Sequence, residues 1–190
     1  ETCRLLVLPL LLHVMAQNGF LRAEMELRLL AEPFARLADR FPRAVLFLAG
    51  GGSERDRLRA QAARLGLGER VFLPGPVKPV HDVYAAADVF TMPSFHEGLC
   101  NACLEASFAA LPQVVSDAGG NPEIVAHGQT GSVAPAGDAP ARASALARYL
   151  QHPALGVAHG RARRPRSLSR FTADHLGPEV EAVLTRLLSS

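Results

Sequence analysis

Tryptophan is absent from this 190-residue chain, tyrosine occurs twice, and Lys78 is the single lysine. Positive charge is therefore almost all arginine, yet the formal net charge is only +2. A chain this close to neutral is not built to hold nucleic acid. Cysteine is scarce too. Cys3, Cys100 and Cys103 cannot make the disulfide framework of a small secreted domain, and they suit a reducing cytoplasm. Long apolar runs are also missing. The longest, Leu5 to Met15, is too short to span a bilayer and is interrupted by Pro9 and His13. It resembles the apolar part of a signal peptide, with Ala16 near a cleavage point, but no basic segment precedes it. A buried first strand is the expectation.

What is present points to one folded domain over residues 1–190. Apolar residues make up 48% and charged residues 20%, the balance of a globular chain with a sizeable core. Short apolar runs alternate with longer amphipathic ones. Ala44–Ala49 reads as a buried strand ending in Gly50-Gly51-Gly52, and Ser53 then caps a helix through Leu65 with Leu58, Ala62 and Leu65 on one face. Gly66 and Gly68 close it. Strands follow at 70–73, 88–92, 113–116 and 130–134, with helices at 80–87, 97–110, 123–126 and 140–150 between and after them. Residues 152–190 are helical and rich in arginine. Alternation of this kind predicts an α/β fold, a doubly wound parallel sheet of about six strands with helices on both faces. Its ligand belongs outside the carboxyl ends of the strands, at loops 50–53, 75–79, 93–99 and 117–121.

The strongest chemical signal is Pro93-Ser94-Phe95-His96-Glu97-Gly98-Leu99-Cys100-Asn101-Ala102-Cys103-Leu104-Glu105-Ala106. If 97–110 is helical, Glu97 and Glu105 lie about 12 Å apart along the axis, too far to act as a dyad on one bond. They suit opposite ends of an extended ligand. Between them the backbone amides of Gly98 to Asn101 form an anion site at a helix N-terminus, and Gly98 lets a phosphate approach the backbone. A diphosphate on the amides, sugar hydroxyls on Glu97 and ribose hydroxyls on Glu105 satisfy this pattern. The plainer alternative makes Glu97 an ordinary first-turn acid and Glu105 a surface residue.

Residues 93–106 resemble the signature of glycosyltransferase family 4, whose members have the GT-B fold. The resemblance extends over about residues 18–175. It includes Leu48-Ala49-Gly50-Gly51-Gly52-Ser53, Tyr84-Ala85-Ala86-Ala87-Asp88 and Ala109-Ala110-Leu111-Pro112, then Ser116-Asp117-Ala118-Gly119-Gly120-Asn121-Pro122-Glu123 and Gly137-Asp138. It implies the C-terminal, donor-binding half of a transferase that moves a hexose from a UDP- or GDP-linked donor to a glycan or lipid-linked acceptor. Retention of anomeric configuration and independence of any metal or other cofactor come with it. On that resemblance Glu97 is the catalytic contact to the donor sugar and Glu105 holds the ribose. Ser94, Gly98, Leu99, Cys100, Asn101, Gly50 and Gly51 line the donor, and Val77 and Lys78 frame the base. The core spans about 18–151 and the closing helices 152–190. The acceptor domain that precedes this half in the family is not among these residues, so the chain alone is not expected to complete a transfer.

The chain departs from the family where an arginine and a lysine are expected on the donor phosphates, because Phe20 and Met25 stand there. That favours a second reading, a non-catalytic nucleotide-sugar-binding or partner-binding module. A GT-B epimerase fragment is a third. Ala110 replaces a usual glycine, Gln113 puts an amide where an apolar strand residue belongs, and Pro33 falls inside a predicted helix. Cys100 and Cys103 lack the further ligands of a zinc site and read as small packed residues. His81, His127, His152 and His159 read as surface residues, and His96 as a neighbour of the donor. Arginines 161–170 read as a solvated helix face that could also lean on anionic lipid at the inner side of a cytoplasmic membrane.

Overall fold

The computed structural model describes residues 4–7, 31–49 and 55–188. Six strands form one parallel sheet: β1 (Arg4–Val7), β2 (Val45–Ala49), β3 (Val71–Gly75), β4 (Val89–Met92), β5 (Gln113–Ser116) and β6 (Ser132–Ala134). Their order is β3-β2-β1-β4-β5-β6. Two βαβ halves thus wind outward from β1, and the order reverses between β1 and β4, where Leu5 pairs with Val89 and Val7 with Thr91. That reversal is the switch point at which doubly wound sheets bind ligands. The expected architecture and strand count are both observed.

Helices cover the two faces. Residues 31–38 are helical (α1), with Phe34, Leu37 and Ala38 buried. They meet Leu46, Leu48, Val89 and Val114 of the sheet, together with Ala143 and Leu146 of α6 (Ala139–Gln151). On the other face, α3 (Val80–Ala86), α4 (Asn101–Phe108) and α5 (Asn121–Ile124) press Tyr84, Cys103, Ala106 and Ile124 onto Phe90, Met92 and Val115. Alternate residues of β4 serve opposite faces, as strand pleating requires. Pro33 is buried within α1, and the helix runs through it over the described residues.

Several elements are shorter than expected. After α2 (Arg55–Arg64) the Gly66 amide donates to Ala63 O and the Leu67 amide to Ala62 O, with Gly66 at φ +68. This Schellman closure turns the chain so that Leu67 enters the core and Leu65 stays 37% exposed, contrary to the face predicted for it. The cap Ser53 lies outside the described residues, as do Gly50, Gly51, Phe20, Met25 and Cys3. Asp138 caps α6, accepting from the Ala141 amide at 2.8 Å. The tail is two helices, α7 (Pro153–Leu168) and α8 (Ala173–Leu188). α7 docks on α4 so closely that a Cβ on Gly160 would sit 1.8 Å from Ala110 O. Ala110 itself holds φ 57, a left-handed conformation that explains why glycine suits that position. Among the described residues no helix is long and apolar enough to cross a membrane.

Candidate functional site

The loop from Pro93 to Cys100 leaves the carboxyl end of β4 and leads into α4. Helix was expected from Glu97, but α4 begins at Asn101, with Cys100 extended at ψ 105 as its N-cap. The reason is tertiary. Gly120 donates its amide to Gly98 O at 2.9 Å, and Gly119 packs so tightly that a Cβ there would lie 1.8 Å from Glu97 O. The turn between β5 and α5 thus claims the backbone of 97–98 before it can coil. Glu97 is therefore off the helix, and the axial separation expected from Glu105 does not apply. α5 also starts earlier than predicted, at Asn121.

A buried polar chain fixes Glu97. Ser94, 1% exposed, donates its hydroxyl to Glu97 Oε1 at 2.6 Å. Ser116 donates to Ser94 O at 2.5 Å, and Asn121 Nδ2 reaches Ser116 Oγ at 3.4 Å. Cys103 Sγ completes the run against Asn121 Oδ1 at 3.7 Å. Burial raises the Glu97 carboxyl above its ordinary pKa, and the Ser94 hydroxyl pulls it part of the way back. Burial also pushes the Cys103 thiol up, away from the thiolate, and Cys100 is buried too; both pack as expected.

At the start of α4 the first intrahelical bond runs from the Leu104 amide to Cys100 O, at 3.1 Å. The amides of Asn101, Ala102 and Cys103 thus have no intrahelical partner, and those of Gly98 to Cys100 stand in the loop just before them. No side chain caps them. Gly98, Leu99 and Asn101 are exposed beside them, and His96 is exposed next to Glu97. Such an end carries about half a positive charge.

Glu105 lies in the second turn of α4, half-buried. The phenol of Tyr84, 2% exposed, donates to its Oε2 at 2.7 Å. Burial first, then the bond and charge of Glu105, push the Tyr84 pKa up, so Tyr84 stays protonated and serves as the donor in its bond to Glu105. Tyr84 belongs to α3, which follows the loop carrying half-buried Val77 and exposed Lys78. The site therefore joins three strand-end loops. Sequence reasoning did not assign Tyr84, Ser116, Asn121 or Gly119 a role; a buried tyrosine's need for a partner was the available signal.

Elsewhere the structure corrects two surface assignments. His159 is 6% exposed and 2.8 Å from the Tyr149 hydroxyl. Within the 161–170 cluster, Arg163 is fully buried, while Arg161, Arg164 and Arg170 face solvent. His81, His127 and His152 are exposed as predicted. The unexpected Gln113 is buried, with Nε2 on Cys103 O at 2.7 Å and Ser107 Oγ at 3.0 Å.

A family model for glycosyl transferases group 1 matches residues 13–152. The chain belongs to that family. A lipopolysaccharide core mannosyltransferase of Rhizobium leguminosarum bv. viciae is 34% identical over 133 residues, 70% of this chain and 38% of the relative. A GDP-mannose-dependent phosphatidylinositol monomannoside mannosyltransferase of Mycolicibacterium smegmatis is 35% identical over 168 residues, covering 83% and 44%. This chain thus spans less than half the length of those two group 1 relatives. Among solved structures, Anabaena Alr3699/HepE in complex with UDP-glucose superposes with a TM-score of 0.82 at 20% identity, over 98% of this chain and 49% of that one. At that identity the likeness speaks for the fold, which is that of the GT-B glycosyltransferases.

Proposed function

We propose that this group 1 chain is the donor-binding half of a metal-independent, retaining hexosyltransferase whose donor is a UDP- or GDP-linked sugar. The observation that carries the proposal is the placement of Glu97 and Glu105 on either side of three unclaimed amides, beside the switch point of the sheet. In this reading the diphosphate rests on the amides of Asn101 to Cys103, with Gly98 and Leu99 alongside. Glu105, steadied by Tyr84, takes the ribose hydroxyls through its free oxygen. Glu97, steadied by Ser94, takes the hexose hydroxyls and holds the anomeric carbon toward the acceptor. Val77 and Lys78 frame the base. As the bond from the anomeric carbon to the diphosphate breaks, charge grows on the leaving oxygens, and preoriented amides stabilise it without reorganising.

The lipopolysaccharide core and phosphatidylinositol monomannoside mannosyltransferase activities of the two relatives support a hexose donor and a glycan or lipid-linked acceptor. Their greater length supports an acceptor site supplied by a further domain. Phe20 and Met25 favour one rival reading, a domain that keeps the fold and has lost the reaction.

Thermal shift with UDP, GDP, ADP and CMP and their sugar conjugates, run beside Glu105→Ala, tests the proposal. A ligand at about 100 times its Kd adds roughly 2.7 kcal/mol. For a domain of this size that moves the midpoint by on the order of 5–10 °C. A shift with one nucleotide that the variant loses is the expected result. No shift with any of them would put the non-catalytic reading first.

A further inference from the structure

Arg142 lies in the first turn of α6, level with the carboxyl ends of the strands, and its side chain has no exposed surface. Its Nη1 donates to Met92 O at 3.2 Å and lies 3.5 Å from Thr91 Oγ1, both at the end of β4. Nε and Nη2 are equally buried and have no partner. These two nitrogens share one edge of the planar guanidinium. Along that edge two parallel N–H groups match two oxygens of a phosphate or carboxylate. Asp117 and Asp138 are near enough to favour the charged form, against the burial that pulls the group down to about 10. Their carboxylates, however, accept from the amides of Ala136 and Ala141, each at 2.8 Å. One edge of a buried cation is anchored and the other is empty.

Three features place Arg142 beside the site already described. Met92 stands two residues before Ser94, which holds Glu97. Thr91 is paired with Val7, where β1 and β4 diverge. Gly137, just ahead of α6, packs under Phe95 of the Glu97 loop, and a Cβ on it would lie 3.1 Å from the ring. Leu146, one turn further along α6, fills the core, and Arg142 lies on the strand-end side of it. A buried guanidinium with an empty bidentate edge is costly until an anion completes it.

We propose that the Nε/Nη2 edge of Arg142 is an anion subsite that takes phosphoryl oxygens of the nucleoside diphosphate, replacing the cations missing at Phe20 and Met25. This rests on the donor-binding reading above. A diphosphate so held lies between the guanidinium and the first amides of α4, with positive charge on both sides. The same chemistry would also accept free pyrophosphate, and the test separates the two.

The experiment measures binding of UDP, GDP and inorganic pyrophosphate to the full chain and to Arg142→Met, Arg142→Lys and Glu105→Ala, with the thermal midpoint of each protein without ligand. Arg142→Met should keep or raise that midpoint, because it removes an unpaired buried charge. Its nucleotide Kd should rise on the order of tenfold or more, with Arg142→Lys in between, since lysine keeps the charge and lacks the fork. Wild-type nucleotide affinity in Arg142→Met overturns the proposal. Should that variant not fold, wild-type affinity in Arg142→Lys overturns it equally. Pyrophosphate binding that needs Arg142, beside nucleotide binding that does not, marks a free-anion site and overturns the donor role. Nucleotide binding lost in Glu105→Ala and kept in Arg142→Met leaves the donor-binding reading standing and removes this one. No nucleotide binding to the wild-type chain removes both.

Discussion

Two fully buried arginines mark the two ends of the sheet, and they are treated in opposite ways. Arg163 of α7 lies at the amino end of β5 and β6. Its Nε and Nη2 donate to Thr130 O, and its Nη1 reaches Ser107 Oγ at 3.3 Å. All three nitrogens are engaged, and the guanidinium pins α7 to α4 and to the entry of β6. Arg142 at the carboxyl end has one nitrogen anchored and two idle. Burial depresses both to about 10, so desolvation does not distinguish them. Satisfaction does. A cation that uses every donor internally is part of the scaffold, whereas one with two unpartnered donors near a switch point still lacks an acceptor, which the proposal above assigns to a ligand.

Crowded glycines repeat the contrast and give the largest expected effect. Gly160, at the Arg163 end, and Gly119, at the Glu97 loop, both leave a Cβ only 1.8 Å from a backbone oxygen. Gly160→Ala must prise α7 from the α4–β5 turn, and a loss of about 3 kcal/mol is expected, read as a lower urea midpoint. Gly119→Ala presses on an exposed loop and also strains a φ of +52. It should cost less stability, about 1–2 kcal/mol, while weakening nucleotide binding tenfold or more in a titration. Equal stability losses with binding intact in Gly119→Ala would erase the distinction between the two ends.

Next in size is Arg163→Leu. It strands Thr130 O and Ser107 Oγ in the core, and a loss of about 2–3 kcal/mol is expected in the same denaturation series. Nucleotide affinity measured on the folded fraction should not move. A variant as stable as wild type would mean that Arg163 is no scaffold residue.

The smallest effect concerns pH. An acid whose folded-state pKa is raised binds its proton more tightly in the fold. Its stabilising contribution is full below the ordinary value of 4.5 and is lost as pH rises through the raised value. Glu97→Gln removes that loss. Its urea midpoint should therefore fall less than the wild-type one as pH is taken from about 4.5 to 7. Identical profiles would show that Glu97 is not desolvated as the structure has it.

Much of the fold was legible from local pattern. The run at 44–49 is apolar throughout, and those at 88–92 and 113–116 keep an apolar centre, because both faces of a parallel strand are covered. Gly66 announced a helix end through chemistry that acts within one turn. Glu97 and Glu105 stood out because their spacing around Gly98 is uncommon. The start of α4 was misread because Glu97 to Cys100 have no local reason to avoid a helix; Gly119 and Gly120, more than twenty residues later, supply it. His159 and Arg163 were taken for surface groups because polar side chains at helical spacing usually are. Only the docking of α7 on α4 buries them, and Tyr149 and Thr130 then meet their needs.

By itself the sequence determined the alternation of strands and helices, hence a parallel sheet wound from the middle. Periodicity and turn chemistry act between neighbours, and the order of elements leaves few topologies. Tertiary structure alone decided which polar groups are satisfied. Tyr84 finds Glu105 across 21 residues, and Arg142 reaches Met92 across 50. Whether a buried group has a partner depends on what the fold sets beside it, and no property of the residue or its neighbours carries that information.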